Sequence, residues 1–77
     1  MLTIGDWIDQ SDGGERAPVQ RFGVMGKHGG IITTSQRQAR AAGPLGWVQV
    51  WTDRGLVWWP LAQARKVPPR EMRRATG

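Results

Sequence analysis

Apolar residues along the chain fall into short runs, often alternating with polar ones and punctuated by glycine, and no stretch keeps a helical period for three turns. That pattern predicts strands. The first run is Leu2 to Ile8, in which the glycine of Ile4-Gly5-Asp6-Trp7-Ile8 permits a bulge or sharp bend. Asp9 to Pro18 reads as a loop, because Ser11-Asp12-Gly13-Gly14 tolerates positive φ or bonds locally to the backbone. A second strand runs from Val19 to Lys27. Strict alternation puts Val19, Arg21, Gly23 and Met25 on one face and Gln20, Phe22 and Val24 on the other, with Phe22 and Val24 inward. Lys27-His28-Gly29-Gly30 reads as a turn, and Ile31 to Thr34 as a short β-branched strand.

Ser35 to Ala42 has the composition for two helical turns, with Ser35 as N-cap and Gly43-Pro44 as a stop. Lacking an apolar stripe, it reads better as a solvated loop or frayed helix than as a core element. Trp47 to Thr52 and Leu56 to Pro60 then make a hairpin across Asp53-Arg54-Gly55, a connection ending in a glycine bulge. Pro60 cannot donate to a ladder, so it ends its strand or lies on an edge. Leu61 to Ala64 is expected to form one 3₁₀ turn before a last strand at Arg65 to Val67. Pro68-Pro69 breaks regular structure. The organisation predicted is one domain over residues 1–67 and a disordered basic tail over 68–77.

The hairpin holds four of the five tryptophans. A chain of this length hides only about 60% of its unfolded surface, so some indole must be a contact surface. Trp47, Gln49 and Trp51 share one face of their strand, and Val48, Val50 and Thr52 share the other. Either set could face the core, but tryptophans inward would bury Gln49 and require it to find a partner, which favours the valines. Trp58 and Trp59 are adjacent, so one of them must point outward. Trp7, in the bend, is read as a packing residue at the end of the fold.

The net charge of +5 is unevenly spread. Residues 1–15 hold Asp6, Asp9, Asp12 and Glu15 and no Lys or Arg, while the rest hold all eleven basic residues against Asp53 and Glu71. A basic body of that kind attracts phosphate backbones or an acidic protein face. The absence of cysteine excludes disulfides and thiolate metal sites. No leader and no apolar run near the roughly 20 residues of a membrane span are present, which predicts a soluble, cytoplasmic protein without membrane contact. His28 is the single histidine and reads as a solvated turn residue. The opening acids lack the ligand pattern of a calcium loop, Ser11, Thr33, Thr34 and Ser35 have no base nearby in sequence, and the glycine pairs do not open a helix. The expectation is a protein that is not an enzyme, with neither metal nor cofactor.

The Gly-Asp bend, the late glycine hairpin and the proline-terminated strand before a one-turn helix together resemble SH3-like barrels of the KOW and Tudor type. Ile4-Gly5-Asp6-Trp7-Ile8 and Val57-Trp58-Trp59-Pro60-Leu61 are also similar to short actinobacterial Gly-Asp-Trp proteins of unassigned function. The resemblance implies an all-β fold, a single five-stranded SH3-like barrel. Leu56-Val57-Trp58-Trp59-Pro60-Leu61 further resembles the last strand of type-B dihydrofolate reductases. In that family a glutamine and a tyrosine hold the ligands; Val57, Trp58 and Trp59 stand at the matching positions here, so that activity is not expected.

The function expected is a non-enzymatic nucleic-acid-binding module. Arg37, Arg40, Arg54, Arg65, Lys66, Arg70, Arg73 and Arg74 would contact phosphates, and Trp47, Trp51, Trp58 and Trp59 would form the aromatic contact surface, with Trp51 or Trp58 stacking on bases. The alternative is a protein-interaction module, such as a phage or plasmid accessory protein that docks on a host protein or self-associates through its Trp face. A third arrangement, which the Tudor resemblance implies, is an aromatic cage walled by Trp51, Trp58 or Trp59 near Asp53.

Overall fold

A computed structural model describes residues 1–10 and 14–68. The order of elements is β1 (Trp7–Gln10), β2 (Ala17–Met25), β3 (Ile31–Thr34), α1 (Gln36–Ala41), a 3₁₀ turn (Gly43–Leu45), β4 (Gly46–Thr52), β5 (Gly55–Pro60), a second 3₁₀ turn (Leu61–Gln63) and β6 (Ala64–Lys66). The strands form one antiparallel sheet in the order β5-β4-β2-β1-β6, with β3 paired to β2 off that path. Among the described residues there are six strands rather than five, and β5 and β6 stand at opposite ends of the order, so the sheet is open.

β1 begins later than its apolar run suggests. Gly5 takes φ 92°, the Asp6 amide donates to the Thr3 carbonyl, and the Thr3 amide donates to Asp6 Oδ2. These bonds fold Thr3 to Asp6 into a turn. Asp9 and Gln10, expected in a loop, instead continue β1 opposite Arg65 and Ala64 of β6. Residues 11–13 of the expected loop, and the tail from Pro69 on, lie outside the described residues.

β2 departs from strict alternation. Val19 faces Val50 and Arg21 faces Gln49, so one extra residue of β2 is accommodated between neighbouring positions of β4. This bulge resets the phase: Val19 and Phe22 are both buried, although they were expected on opposite faces. Val24 packs partly buried against the same core, as expected.

α1 is a core element, contrary to the sequence expectation. Ser35 Oγ accepts from the Gln38 amide at 3.1 Å, and the Ser35 amide donates to Gln38 Oε1 at 3.2 Å, completing a capping box. The helix needs no apolar stripe because it docks through one fully buried side chain, Ala39. Opposite it stands Gly46, where a Cβ would collide with the Ala39 carbonyl oxygen. The β4–β5 hairpin turns at Asp53-Arg54, with Gly55 at φ 97° as the left-handed residue. Thr52 Oγ1 accepts from the Arg54 amide and donates to the Gly55 carbonyl, fixing both sides of the turn.

The core lies on the inner face, where Ile8, Ala17, Val19, Phe22, Val48, Val50 and Trp59 are joined by Leu2, Ala39 and Leu61. The valines of β4 therefore face inward, and the outer face of the sheet is left to Trp47, Gln49 and Trp51.

Candidate functional site

Register assembles the outer face row by row. Trp7 of β1 lies opposite Pro18 of β2, and Trp51 of β4 lies opposite Leu56 of β5. Pro18 and Trp51 are one step beyond the Val19–Val50 pair and line a common cleft. The result is an apolar row across four strands, Trp7–Pro18–Trp51–Leu56, in which Trp7 is 39% exposed, Trp51 57% and Leu56 49%. Trp7 is thus a surface residue rather than an end plug. A second row is Arg21–Gln49–Trp58, and a third is Thr33–Gly23–Trp47–Pro60.

Trp58 and Trp47 are half-buried in this outer layer. The Trp58 ring reaches from β5 to β2, where a Cβ on Gly23 would lie 3.0 Å from its Cζ3 and 2.5 Å from Ile31 Cγ2. Glycine at 23 is therefore the floor on which Trp58 and Ile31 rest. Within the layer, Trp47 Nε1 and Gln49 Oε1 are shielded from solvent without a hydrogen-bond partner among the described residues. Trp59, at 5% exposure, belongs to the core and leaves the expected contact surface. The outward member of the Trp58–Trp59 pair is Trp58.

Charges are arranged differently in space from their order in sequence. Arg65 donates through Nε and Nη2 to Asp9 Oδ1 and Oδ2 at 3.1 and 2.9 Å. Arg54 Nη2 meets Glu15 Oε1 at 3.0 Å, and Lys66 Nζ lies 3.6 Å from Asp6 Oδ2. Three expected phosphate contacts are thus held by carboxylates of the opening segment. The Arg65 hydrogen bonds keep the Asp9 carboxyl below its usual range against the opposing effect of burial, and the charges of Arg65 and Arg16 add to them. Asp6 is lowered as well, first by the Thr3 amide bond and further by Lys66.

Arg37 and Arg40 are exposed on α1 and meet no carboxylate among the described residues; Arg21 on the outer face is in the same condition. A groove of about 500 Å³ connects this region. It lies along the edge of β2 that β1 and β3 share, lined by Met1 to Ile4, Arg21 and Thr33 to Gln36. Arg37 and Arg40 flank an adjoining hollow with Met1 and Gln36. Arg70, Arg73 and Arg74 fall outside the described residues. A smaller cleft of about 310 Å³ lies between Trp7 and Trp51, with Pro18, Thr52, Glu15, Arg16 and Asp53.

Sequence reasoning missed Trp7, Arg16, Pro18, Arg21 and Leu56 as surface-forming residues. Parity with Trp58 was a signal for Leu56; for Arg21 the signal was its place on the non-core face of β2. Trp7 and Pro18 join the row only through the β1–β2 register, which no local pattern reveals. Among the described residues no three His, Cys, Asp or Glu side chains group as metal ligands, and no helix is long and apolar enough to cross a membrane. Comparison with protein-family models, with curated proteins and with solved structures found no match.

Proposed function

We propose that the chain is a non-enzymatic module that binds single-stranded nucleic acid on its outer sheet face. The observation that carries this reading is the position of unpaired cations beside exposed indoles: the Trp7–Trp51 row is followed on the same face by Arg21, and the groove leads from Arg21 to Arg37 and Arg40. Indole faces offer stacking to any base, and guanidinium groups track the phosphates between bases. The Thr33 hydroxyl adds a neutral donor along the groove. An SH3-like reading of the fold accompanies this proposal. It is supported by the β2–β4–β5 meander, the β1–β6 pair and the 3₁₀ turn before the last strand, with β3 and α1 as an excursion between β2 and β4.

Fluorescence anisotropy with labelled single- and double-stranded oligonucleotides tests the proposal. Affinity should favour the single strand and fall steeply between about 50 and 200 mM salt. Trp51→Ala should weaken binding roughly 5- to 150-fold, the equivalent of about 1–3 kcal/mol for one stacked base. Arg21→Gln should lower the salt slope by about 0.7, the value for one phosphate contact on a single strand. No binding of either oligonucleotide at low salt would end this reading.

A protein partner is the second reading, and one observation favours it. Glu15 and Asp53 line the same cleft as Trp7 and Trp51, where carboxylates repel phosphate but accept a cationic side chain. Under that reading Trp51→Ala abolishes capture of the partner, while oligonucleotides do not compete.

A further inference from the structure

Among the described residues the open sheet has three free edges, and they are not alike. β6 is three residues long and carries Arg65 and Lys66. β3 is four residues long, half of them threonine, and runs into the cap of α1. β5 is six residues, Gly55-Leu-Val-Trp-Trp-Pro60, without a single charge, and its register with β4 is unbroken from Gly55 to Pro60. Natural edge strands are ordinarily blunted by charge, bulge or brevity, and only the terminal Pro60 blunts this one. The apolar row Trp7–Pro18–Trp51–Leu56 also runs off the sheet at this edge, leaving Leu56 half exposed.

We infer that β5 is a pairing edge whose partner is β5 of a second copy of this chain, joining two sheets into one continuous antiparallel sheet. A two-fold axis through the edge keeps inner face with inner face only when a residue pairs with itself or with one an even number of positions away. Placing Val57 opposite Val57 satisfies this condition, setting Leu56 against Trp58 and Gly55 against Trp59. The alternative of centring on Trp58 puts Pro60, which has no amide hydrogen, opposite Leu56 and forfeits a ladder bond. In the Val57 register the outer faces contribute two Leu56–Trp58 aliphatic–aromatic pairs. The partly buried Val57, already packed against the core, becomes covered. Arg54 falls opposite the partner's Pro60, so no like charges meet. This pairing does not depend on what the outer face binds.

Sedimentation velocity of the full chain from micromolar to near-millimolar concentration should show a reversible monomer–dimer equilibrium. Leu56→Lys should weaken the dimer by at least about tenfold while leaving the far-ultraviolet circular dichroism unchanged, since a charge is introduced at an exposed edge position. Leu45→Lys, an equally exposed leucine on the first 3₁₀ turn, should leave dimerisation unchanged. Amide hydrogen exchange gives a second readout that needs no variant: the β5 amides should become more protected as concentration rises. A monomer across the whole range overturns the inference, as does a Leu56→Lys dimer as tight as the wild type or β5 protection independent of concentration.

Discussion

Asp9 is 3% exposed, and both of its carboxylate oxygens are bonded by the one guanidinium of Arg65. Such bidentate, charge-assisted bonds are the stronger kind, and this one ties β1 to β6 across fifty-six residues of sequence. Sequence reading assigned Arg65 to phosphate because nothing local announces a partner so far away. The pair links stability to pH. Asp9 has a folded pKa below the ordinary 3.8, so its contribution is complete above that value and is lost as pH falls through the folded pKa. Asp6 acts in the same direction. Thermal midpoints should therefore decline below about pH 4. Arg65→Gln should flatten part of that decline and lower stability at neutral pH by roughly 1–3 kcal/mol, because Asp9 remains buried with bonds unmade. Equal midpoints for the two proteins at neutral pH would show that the pair contributes nothing to the fold.

Elements carry the next level of information, and the sequence revealed their existence better than their phase. Period-two runs and the Asp-Arg-Gly turn located β2, β3, β4 and β5, and the residues after Pro60 located the second 3₁₀ turn. The phase of β2 was hidden, because a bulge at Gln20–Arg21 is set by pairing with β4 and leaves no glycine or proline as a marker. The place of α1 was hidden for another reason. A helix that docks by a single alanine on a glycine shows no apolar stripe. Gly46→Ala tests that contact directly. Its methyl would meet the Ala39 carbonyl, a backbone atom that cannot rotate away, so the substitution should cost about 3 kcal/mol or more. Chemical denaturation of the variant measures this, and a loss below about 0.5 kcal/mol would show that α1 is not seated on β4.

At the scale of the whole molecule, folding converts a charge gradient along the chain into a set of local neutralisations. The opening segment returns to clasp Arg54, Arg65 and Lys66, and the cations left over among the described residues include Arg21, Lys27, Arg37 and Arg40 rather than the ones nearest the tryptophans in sequence. The orientation of Val48 and Val50 was legible, and with it the outward placement of Trp51; the pairing of Arg54, Arg65 and Lys66 with the opening carboxylates was not, because pairing is a property of the fold. Glu15→Gln should release Arg54 next to the Trp51 cleft. If phosphates pass there, oligonucleotide affinity should rise at low salt and the salt slope should steepen by about 0.7 for the added contact. An unchanged slope would place the phosphate path elsewhere. The excursion of β3 and α1 between two strands that are neighbours in the sheet also fixes the order of events when the chain is made. β4 and β5 are joined by two residues and can close on the microsecond scale of about 1–10 μs typical of hairpins. β2 must wait for β4 across residues 26–45, and such non-local pairing is the slow part of sheet formation. During synthesis, everything before Gly46 emerges without the strand that completes its core. The tryptophan hairpin, which can close on its own, is therefore the template on which the earlier strands settle.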